Sequence, residues 1–347
     1  MALFGINTFN LKNVITRKIK KDSFIWWILG LFQGVSFYIN YLFYYKLKFL
    51  TRRNSIHEIH LEFVSYCNLR CQLCSLDHDK PKIRMSPSLL KHFFDDFLSD
   101  NRFRNVTTIH LYNAGEVLLH PKLEIMLAII RDYKNKAASA KIPFPEIGLL
   151  TNATILNEKN SKILINANVL NHIRFSMDGG TREKFEEMRS RANWDVFVKN
   201  IELFCNLNKR SAIPIKTGII SLLEFKNKLT TDWMSAEFIK LLKMVDGYEL
   251  RYAHNWAGDL QLDEMKNKVT KKTWKAGCSL LMHQLVLLPS GEVTVCCADL
   301  NSKGVIGNIL KEKLSSIYNN PKRLQMLKMF INREKEKIDL CKDCETF

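Results

Sequence analysis

The chain has 347 residues, of which 46% are hydrophobic and 25% are charged, values that are ordinary for a globular protein and exclude an intrinsically disordered chain. The nine cysteines, in a sequence that does not open with a secretory signal, argue for metal ligation in the cytoplasm rather than for disulfides. The net charge of +17 keeps nucleic acid and anionic lipid open as partners.

The first 53 residues form a basic, aromatic-rich segment that we expect to be helical. Ser23 to Tyr45 carries no charge, and nine Lys or Arg against one acid, Asp22, give residues 1–53 a net charge of +8. The uncharged stretch is long enough to cross a bilayer, but polar residues recur near one helical face and the flanking charges show no clear asymmetry. The sequence therefore favours a helix lying on the inner face of the membrane, or equally one packed against the rest of the protein.

Three closely spaced cysteines follow the first predicted strand, His57 to Val64. Cys67, Cys71 and Cys74 have the spacing C-x3-C-x2-C, which suits three ligands of a cubane [4Fe-4S] cluster with one open iron. A zinc site is the alternative, but zinc takes four ligands and His78 is the only local candidate for the fourth. The triplet therefore favours an iron-sulfur cluster.

This triplet resembles the signature of the radical S-adenosylmethionine (radical SAM) enzymes. In that family the open iron binds the amino and carboxylate groups of S-adenosylmethionine (SAM), and an electron from the cluster cleaves SAM to a 5′-deoxyadenosyl radical that abstracts hydrogen from substrate. The resemblance implies a [4Fe-4S] cluster and SAM as cofactors, and an external electron donor such as flavodoxin or ferredoxin. Leu73 departs from the family pattern, which usually has an aromatic residue there.

Other short motifs resemble the family's SAM-binding positions, and each follows a predicted apolar strand. After Val106 to Tyr112 the chain continues with Ala114, Gly115 and Glu116, similar to the Gly-Gly-Glu motif that holds the ammonium group of SAM. The resemblance further assigns Thr151 and Asn152 to the cofactor, Ser176 and Asp178 to its ribose, and Arg189 to its carboxylate. Ordinary turns and a solvated helix face are the alternatives for these residues.

Apolar strands alternate with helical patterns from His57 to about Ala253. This alternation predicts an α/β fold with a parallel sheet, and the motifs fall at the C-terminal ends of strands, where barrel active sites lie. The resemblance implies a partial (β/α)6 TIM-like barrel over residues 54–258. The later strands are expected at Glu146–Thr154, His172–Gly180, Ile213–Ser221 and Tyr248–Ala253, and the helices at Ser86–Asp100, Pro121–Tyr133, Asn157–Ala167, Trp194–Leu207 and Asp232–Val245.

A second cysteine set lies in residues 259–347, after a lysine-rich connector and on both sides of a predicted hairpin. The region resembles the SPASM domain, or its shorter twitch form, and the resemblance implies an auxiliary [4Fe-4S] cluster bound by Cys278, Cys296, Cys341 and Cys344. A zinc knuckle is the alternative. The choice between Cys296 and its neighbour Cys297 stays open.

A fully ligated auxiliary cluster cannot bind SAM but can accept or relay an electron. By similarity to twitch-type enzymes, we expect an oxidoreductase-like enzyme that oxidises or otherwise edits a sugar-like or polyol small molecule. A peptide or protein maturase of the SPASM type is the alternative. A zinc-stabilised basic RNA-binding protein is a distant third, and no RNA-recognition motif is visible, so no nucleic-acid partner is expected.

The general base is expected where the last barrel strand ends. Arg251, His254 and Asp259 stand there, and His254 has the most suitable unperturbed pKa. A lone histidine is more often a surface residue than a catalytic group.

Overall fold

The computed structural model describes residues 24–47, 53–224, 227–260 and 277–344. The basic residues that precede the N-terminal helix, and almost all of the lysine-rich connector, lie outside the described residues.

One mixed sheet organises the described part of the chain, and a short two-stranded ribbon lies beside it. The strands are β1 (Glu58–Leu61), β2 (Arg70–Cys71), β3 (Thr108–His110), β4 (Glu146–Thr151), β5 (His172–Ser176), β6 (Arg189–Ser190), β7 (Lys216–Leu223), β8 (Gly247–Tyr252), β9 (Gln284–Leu287), β10 (Glu292–Thr294) and β11 (Val305–Asn308). Strands β1, β3, β4, β5, β7 and β8 pair in parallel in this order. The expected partial (β/α)6 TIM-like barrel is therefore confirmed.

Helices connect the barrel strands, as the alternating pattern predicts. The α-helices of the described residues are, in chain order, α1 (Phe24–Tyr41), α2 (Pro87–Ser99), α3 (Leu123–Ser139), α4 (Glu158–Asn166), α5 (Arg182–Met188), α6 (Trp194–Lys209), α7 (Ala236–Met244), α8 (Ser279–His283), α9 (Leu314–Tyr318) and α10 (Pro321–Ile331). Helices α2 to α7 lie between the barrel strands, whereas α1 precedes them and α8 to α10 follow them. The helices expected between the barrel strands correspond to α2, α3, α4, α6 and α7, and the helix expected within residues 1–53 corresponds to α1. The short α5 was not expected.

Side-chain caps fix where several of these helices begin. The Ser86 hydroxyl accepts a hydrogen bond of 3.1 Å from the Leu89 amide and starts α2. Ser235 accepts one of 3.3 Å from the Phe238 amide, so α7 begins after this cap and not at Asp232 as the sequence suggested. The apolar face of each helix then lies towards the sheet.

The core lies between the helices and the outward side of the strands. Ile59 and Leu61 of β1 are fully buried there, in the same cluster as Phe93 and Phe97 of α2. Because successive strand residues point to opposite sides, the residues between them face the barrel interior.

The C-terminal region continues the barrel sheet. Strand β9 pairs in parallel with β1, with Glu58 opposite Gln284, and β10 and β11 follow in antiparallel. Gly291, in the turn between β9 and β10, has a φ of +88°, a conformation that favours glycine. The sheet is thus continuous across the predicted boundary between residues 258 and 259.

Helix α1 has one face against the C-terminal region and one exposed face. Phe37 is buried, with its ring 6.1 Å from that of Phe330, and it lies so close to Gly277 that a β-carbon there would approach it to 2.3 Å. No helix of the described residues is long and apolar enough to cross a membrane. This part of the structure agrees with a packed helix, one of the two expectations for the segment.

A buried arginine connects the N-terminal segment to the C-terminal region. Arg323 of α10 is fully buried, and its guanidinium lies over the rings of Tyr45 and Tyr318. It donates hydrogen bonds to the backbone carbonyls of Leu281 and Met282 at 2.9 and 3.2 Å, and to that of Tyr318 at 3.1 Å. The planar fork of donors suits several carbonyls at once.

We expect Arg323→Lys to lower the free energy of unfolding by about 2 kcal/mol, because one ammonium group cannot reach all three carbonyls and a buried acceptor stays unpaired. Equilibrium urea denaturation measures the change. Arg210→Lys on the exposed end of α6 is the matched control and should be neutral within about 0.5 kcal/mol. Equal stability of both variants would contradict the role given to Arg323.

Candidate active site

The early cysteine triplet lies in the loop between β1 and α2, at the C-terminal ends of the barrel strands. The amide of Leu69 donates to the Sγ of Cys67 at 3.4 Å, and the side-chain amide of Asn152 reaches the same sulfur at 3.6 Å. From the other side, the indole of Trp256 donates to the carbonyl of Leu73 at 2.7 Å. Several barrel loops therefore hold the cysteine loop in place.

The chemistry of the three thiols fits a metal cluster. Burial, with a smaller contribution from Glu116, raises the pKa of Cys67 to about 12. Burial also raises the pKa values of Cys71 and Cys74, against the opposing positive charge of Arg189. Thiols in this state remain protonated until a metal displaces the proton, so the donor set suits an iron-sulfur cluster and not a free reactive thiolate.

Glu116 links the loop after β3 to the end of β4. Its buried carboxylate accepts hydrogen bonds from the Thr151 hydroxyl and the Asn152 amide, both at 2.8 Å, and from the Leu118 amide at 3.1 Å. Burial raises the pKa of Glu116. A carboxylate has about four acceptor positions, so one remains for a further donor such as an ammonium group.

Gly115 lies against the cysteine loop. A β-carbon at this position would stand 2.1 Å from the carbonyl oxygen of Val64 and 2.7 Å from that of Tyr66. The neighbouring Glu116 amide donates to the same Tyr66 carbonyl at 3.0 Å. Close approach of two backbones therefore requires glycine here, whereas Ala114, which packs with Leu76 and Leu300, has room for its methyl group.

Asp178 and Arg189 form a buried ion pair next to the cysteine loop. The guanidinium Nη1 lies 2.5 Å from the Asp178 carboxylate, whose other oxygen accepts the Leu222 amide at 2.7 Å. Burial would lower the pKa of Arg189, but the negative charges of the neighbouring Cys71 thiolate and Asp178 carboxylate outweigh this effect and raise the pKa. Ser176 stands two residues before Asp178, at the end of β5.

Strands β2 and β6 bring Arg189 to the cysteine loop. They pair in antiparallel with Cys71 opposite Arg189. The Nε of Arg189 is buried and has no hydrogen-bond partner among the described residues. An unpaired cationic donor beside the thiols fits the carboxylate of a bound cofactor.

The second cysteine set converges on one cavity. Cys278, Cys296, Cys341 and Cys344 line it together with apolar side chains, among them Leu281, Val295, Phe330 and Leu340. Burial raises the pKa of Cys341. Four converging thiols in an apolar wall fit a fully ligated cluster and equally satisfy the ligand count of zinc.

Cys297 does not line this cavity. Its amide donates to the Oε1 of Gln284 at 2.8 Å. A side-chain hydrogen bond with Cys296 lowers the pKa of the Cys297 thiol, against the opposing effects of burial and of the Glu58 carboxylate. Of the two adjacent cysteines, Cys296 is therefore the one that lines the cavity with Cys278, Cys341 and Cys344.

The expected catalytic residues lie in different surroundings. Arg251 forms an ion pair with Glu249 at 2.7 Å. The ring of His254 lies 4.2 Å from that of Trp256 at an interplanar angle of 53°. Burial together with the charge of Arg251 lowers the pKa of His254 to about 4, so its imidazole is neutral at pH 7. Its Nδ1 accepts the Trp256 amide at 3.2 Å, which leaves Nε2–H as a donor.

Asp259 belongs to a contact between loops. Its carboxylate pairs with Lys303 and accepts a hydrogen bond of 3.0 Å from Asn301. Asn301 also donates to the carbonyl of Ser75 and accepts the amide of Asp77, next to the cysteine loop. Asp259 thus helps to join the C-terminal region to the cysteine loop.

The barrel interior contains polar residues that the sequence analysis did not select. His60, His110 and Tyr112 lie side by side, with the His60 and His110 ring centroids 4.7 Å apart. Arg174 crosses Gly218 towards Glu249, which it approaches to 3.9 Å. The signal was present in the alternation of polar and apolar residues in HEIHLEFV, because a strand with apolar surroundings on both faces would be apolar throughout.

We expect Gly115→Ala to reduce the iron content of anaerobically reconstituted protein from about eight to about four per chain, because the methyl group displaces the cysteine loop while the separate four-thiol cavity is retained. Iron analysis and SAM binding measure the loss. Gly247→Ala is the matched control, since its β-carbon would meet nothing within 4 Å. Full iron content and SAM binding in Gly115→Ala would refute the close-approach argument.

Comparison with known proteins agrees with this geometry. The radical SAM superfamily model matches residues 61–227, and the model of the SPASM iron-sulfur cluster-binding domain matches residues 278–345. An S-adenosyl-L-methionine-dependent 2-deoxy-scyllo-inosamine dehydrogenase from Niallia circulans is 24% identical over 288 residues, which cover 82% of this chain and 91% of the relative. A tungsten-containing aldehyde ferredoxin oxidoreductase cofactor-modifying protein from Pyrococcus furiosus is 28% identical over 121 residues, 35% of this chain and 30% of the relative.

Solved structures share the fold. BtrN in complex with AdoMet and 2-DOIA is 21% identical with a TM-score of 0.54, over 85% of this chain and 94% of BtrN. SuiB of Streptococcus suis bound to the precursor peptide SuiA is 13% identical with a TM-score of 0.58, over 78% of this chain and 66% of SuiB. The chain therefore carries a radical SAM domain over residues 61–227, followed by an iron-sulfur cluster-binding domain of the SPASM type over residues 278–345, in the order that the two cysteine sets predict.

Proposed function

We propose that this radical SAM enzyme oxidises a hydroxyl-bearing carbon of a sugar-like or other small polyol. The observation that carries the proposal is the polar barrel interior near the strand ends, where Arg251, Glu249 and Arg174 present charged donors and acceptors. Hydroxyl groups both donate and accept hydrogen bonds, so such a surface recognises a polyol. The relative that acts on 2-deoxy-scyllo-inosamine by its name aligns over most of its own length, which supports the same substrate class.

The chain's residues divide between two cofactor sites. Cys67, Cys71 and Cys74 would hold the SAM-binding cluster, and Cys278, Cys296, Cys341 and Cys344 the auxiliary cluster. When bound, the first cluster and SAM supply the 5′-deoxyadenosyl radical, and the auxiliary cluster supplies an acceptor for one electron.

The SAM-contact residues in this proposal are those at the strand ends. The remaining acceptor position of Glu116 would bind the ammonium group, with Ala114 and Gly115 setting the loop. Thr151 and Asn152 hold that carboxylate in place. Ser176 and Asp178 would bind the ribose, and the unpaired Nε of Arg189 the carboxylate of SAM.

The chain's own groups would handle the proton of the reaction. Conversion of C–OH to C=O requires loss of a hydrogen atom from carbon, then of one electron and one proton. Arg251 would hold the substrate oxygen, and neutral His254 would receive the proton once it releases the Trp256 amide. Asp259 would act as a positioning residue, through its contacts to Lys303 and Asn301.

A basic surface beside the cysteine loop supports an acidic electron donor such as flavodoxin or ferredoxin. Arg70 and Arg191 lie near His78, and after burial their positive charges are the main cause of its lowered pKa. Lys82 is exposed in the same loop. An electrostatically complementary donor would approach the cluster from this side.

The proposal predicts that the anaerobic enzyme, given SAM, a reductant and a polyol deuterated at the reacting carbon, forms deuterated 5′-deoxyadenosine and ketone in equal amounts. We expect Cys71→Ala to abolish both products, because the cluster with the open iron is lost. We expect Cys341→Ala to retain or reduce SAM cleavage and to lose the ketone, because the electron acceptor is lost. Mass spectrometry of both products measures the outcome.

Cys205→Ala is the control for these variants, since Cys205 is buried in α6 away from both cysteine sets. An unchanged ketone yield in Cys341→Ala would remove the auxiliary cluster from the reaction. Deuterium transfer from a peptide and from none of the polyols would favour the peptide or protein maturase. SuiB and anSMEcpe, which share the fold, have been solved with bound peptides.

We further propose that the exposed face of α1 lies on an anionic membrane surface. Phe32, Val35 and Ile39 form this face, with exposed fractions of 68%, 55% and 57%, and Phe43, 45% exposed, follows in the turn after the helix. The opposite face is anchored to the protein through Phe37, so the apolar side chains are held outwards. The surplus positive charge of residues 1–53 complements anionic lipid.

We expect the double variant Phe32→Ser, Ile39→Ser to bind vesicles of phosphatidylcholine and phosphatidylglycerol about a hundredfold more weakly, because the variant no longer transfers two large apolar side chains from water into the membrane. Cosedimentation measures the binding. Ile213→Ser is the control, an exposed apolar residue outside α1. Equal vesicle binding by the unmodified protein and the double variant would overturn the membrane proposal. So would a dimer that sedimentation velocity detects for the unmodified protein and not for the double variant, because the face would then bind a second copy of the chain.

A further inference from the structure

A cluster of possible metal ligands lies inside the barrel, apart from both cysteine sets. Glu58 and His60 on β1 and His110 on β3 each offer one ligand atom, and these atoms all lie within 4.8 Å of one another. His60 and His110 are opposite each other in the β1–β3 register. Two imidazoles and one carboxylate form a common ligand set for divalent transition metals.

The orientation of His60 suits metal binding. Its Nδ1 is 3.1 Å from the carbonyl oxygen of Tyr112, so the ring donates from Nδ1 and its lone pair is on Nε2. Metal-binding histidines commonly donate their second ring nitrogen to a backbone carbonyl in this way. The side-chain nitrogen of Gln284 lies 2.9 Å from Nε2 and 3.2 Å from the Glu58 carboxylate. The His60 Nε2 and the Glu58 carboxylate thus both accept from the side-chain NH2 group of Gln284.

His110 supplies a second, independent observation. Its Nδ1 is buried and has no hydrogen-bond partner among the described residues. An unpaired buried ring nitrogen costs free energy unless a ligand satisfies it. The ring lies against His60 on one side and His172 on the other, with centroids 4.7 and 5.9 Å away.

The charge balance of the cluster also suits a cation. Burial lowers the pKa of His60 to about 4, and burial together with His60, His172 and Arg174 lowers that of His110, so both imidazoles are neutral at pH 7. Neutral imidazoles bind metal without first losing a proton. Glu58 contributes one negative charge. Arg174 opposes a cation, but it is directed towards Glu249.

We propose that Glu58, His60 and His110 bind one divalent transition-metal ion of the zinc class in the barrel interior. In the metal-free protein the side-chain amide of Gln284 takes the place of the cation between His60 and Glu58, and it turns away when the metal binds. Three protein ligands leave at least one coordination position for water or for an oxygen atom of a ligand. None of the three ligands belongs to either cysteine set, and the site does not depend on the proposed oxidation reaction.

Zinc titration of the cluster-loaded holoenzyme tests the proposal. After anaerobic reconstitution, the protein is equilibrated with zinc and separated from free metal, and its zinc, iron and sulfide contents are measured. We expect one zinc per chain in the unmodified enzyme. We expect at least a tenfold lower affinity in His60→Gln, His110→Gln and Glu58→Gln, because each variant removes one ligand.

His172→Gln is the matched control, because it removes a neighbouring imidazole of the same interior but none of the three ligands, and it should retain the zinc. Glu58→Gln keeps the result interpretable if a histidine variant fails to fold, since Glu58 is only partly buried at the start of β1. If zinc instead replaced iron at the cysteine sites, the zinc content would be the same in all variants and the iron content would fall. Equal zinc in the unmodified enzyme and the three ligand variants, with iron retained, would overturn the proposal.

Discussion

The arrangement of the candidate active site depends on the hydrogen bonds of one buried carboxylate, that of Glu116. A buried carboxylate without partners would be costly, and Glu116 avoids this cost by accepting donors from Leu118, Thr151 and Asn152. These contacts fix the ends of β3 and β4 relative to each other. Asn152, held in this way, extends its side-chain amide to the sulfur of Cys67. The position of the cysteine loop therefore follows from the position of a charged group outside it.

The same principle applies on the other side of the loop. Arg189 lies between Asp178 and Cys71, so its positive charge is near a carboxylate and near a sulfur that becomes negative when it binds iron. A buried arginine without such partners would be destabilising. The charges around the cysteine loop are thus arranged before any cofactor binds, which reduces the reorganisation that binding requires.

Much of the fold could be predicted from the sequence, because it depends on local signals. The alternation of apolar strands with helical patterns predicted the parallel sheet and five of its helices, and the cysteine spacing indicated the cysteine loop, while the partial barrel followed from the family resemblance. Contacts between distant segments could not be predicted. Strands β2 and β6 have two residues each, too few for a periodic pattern, although their pairing brings Arg189 to Cys71. Asp259 is a second example, because its two partners, Lys303 and Asn301, lie more than forty positions away along the chain.

The pairing of β9 with β1 has a consequence for synthesis on the ribosome. Glu58 and Gln284 are 226 positions apart, so β1 has only one neighbour, β3, while the rest of the barrel emerges. Until the C-terminal region is synthesised, the unpaired edge of β1 can form hydrogen bonds with a strand of another nascent chain. Completion of the sheet must therefore wait until β9 has been synthesised, and chaperones that shield exposed strand edges would act on this protein during that interval.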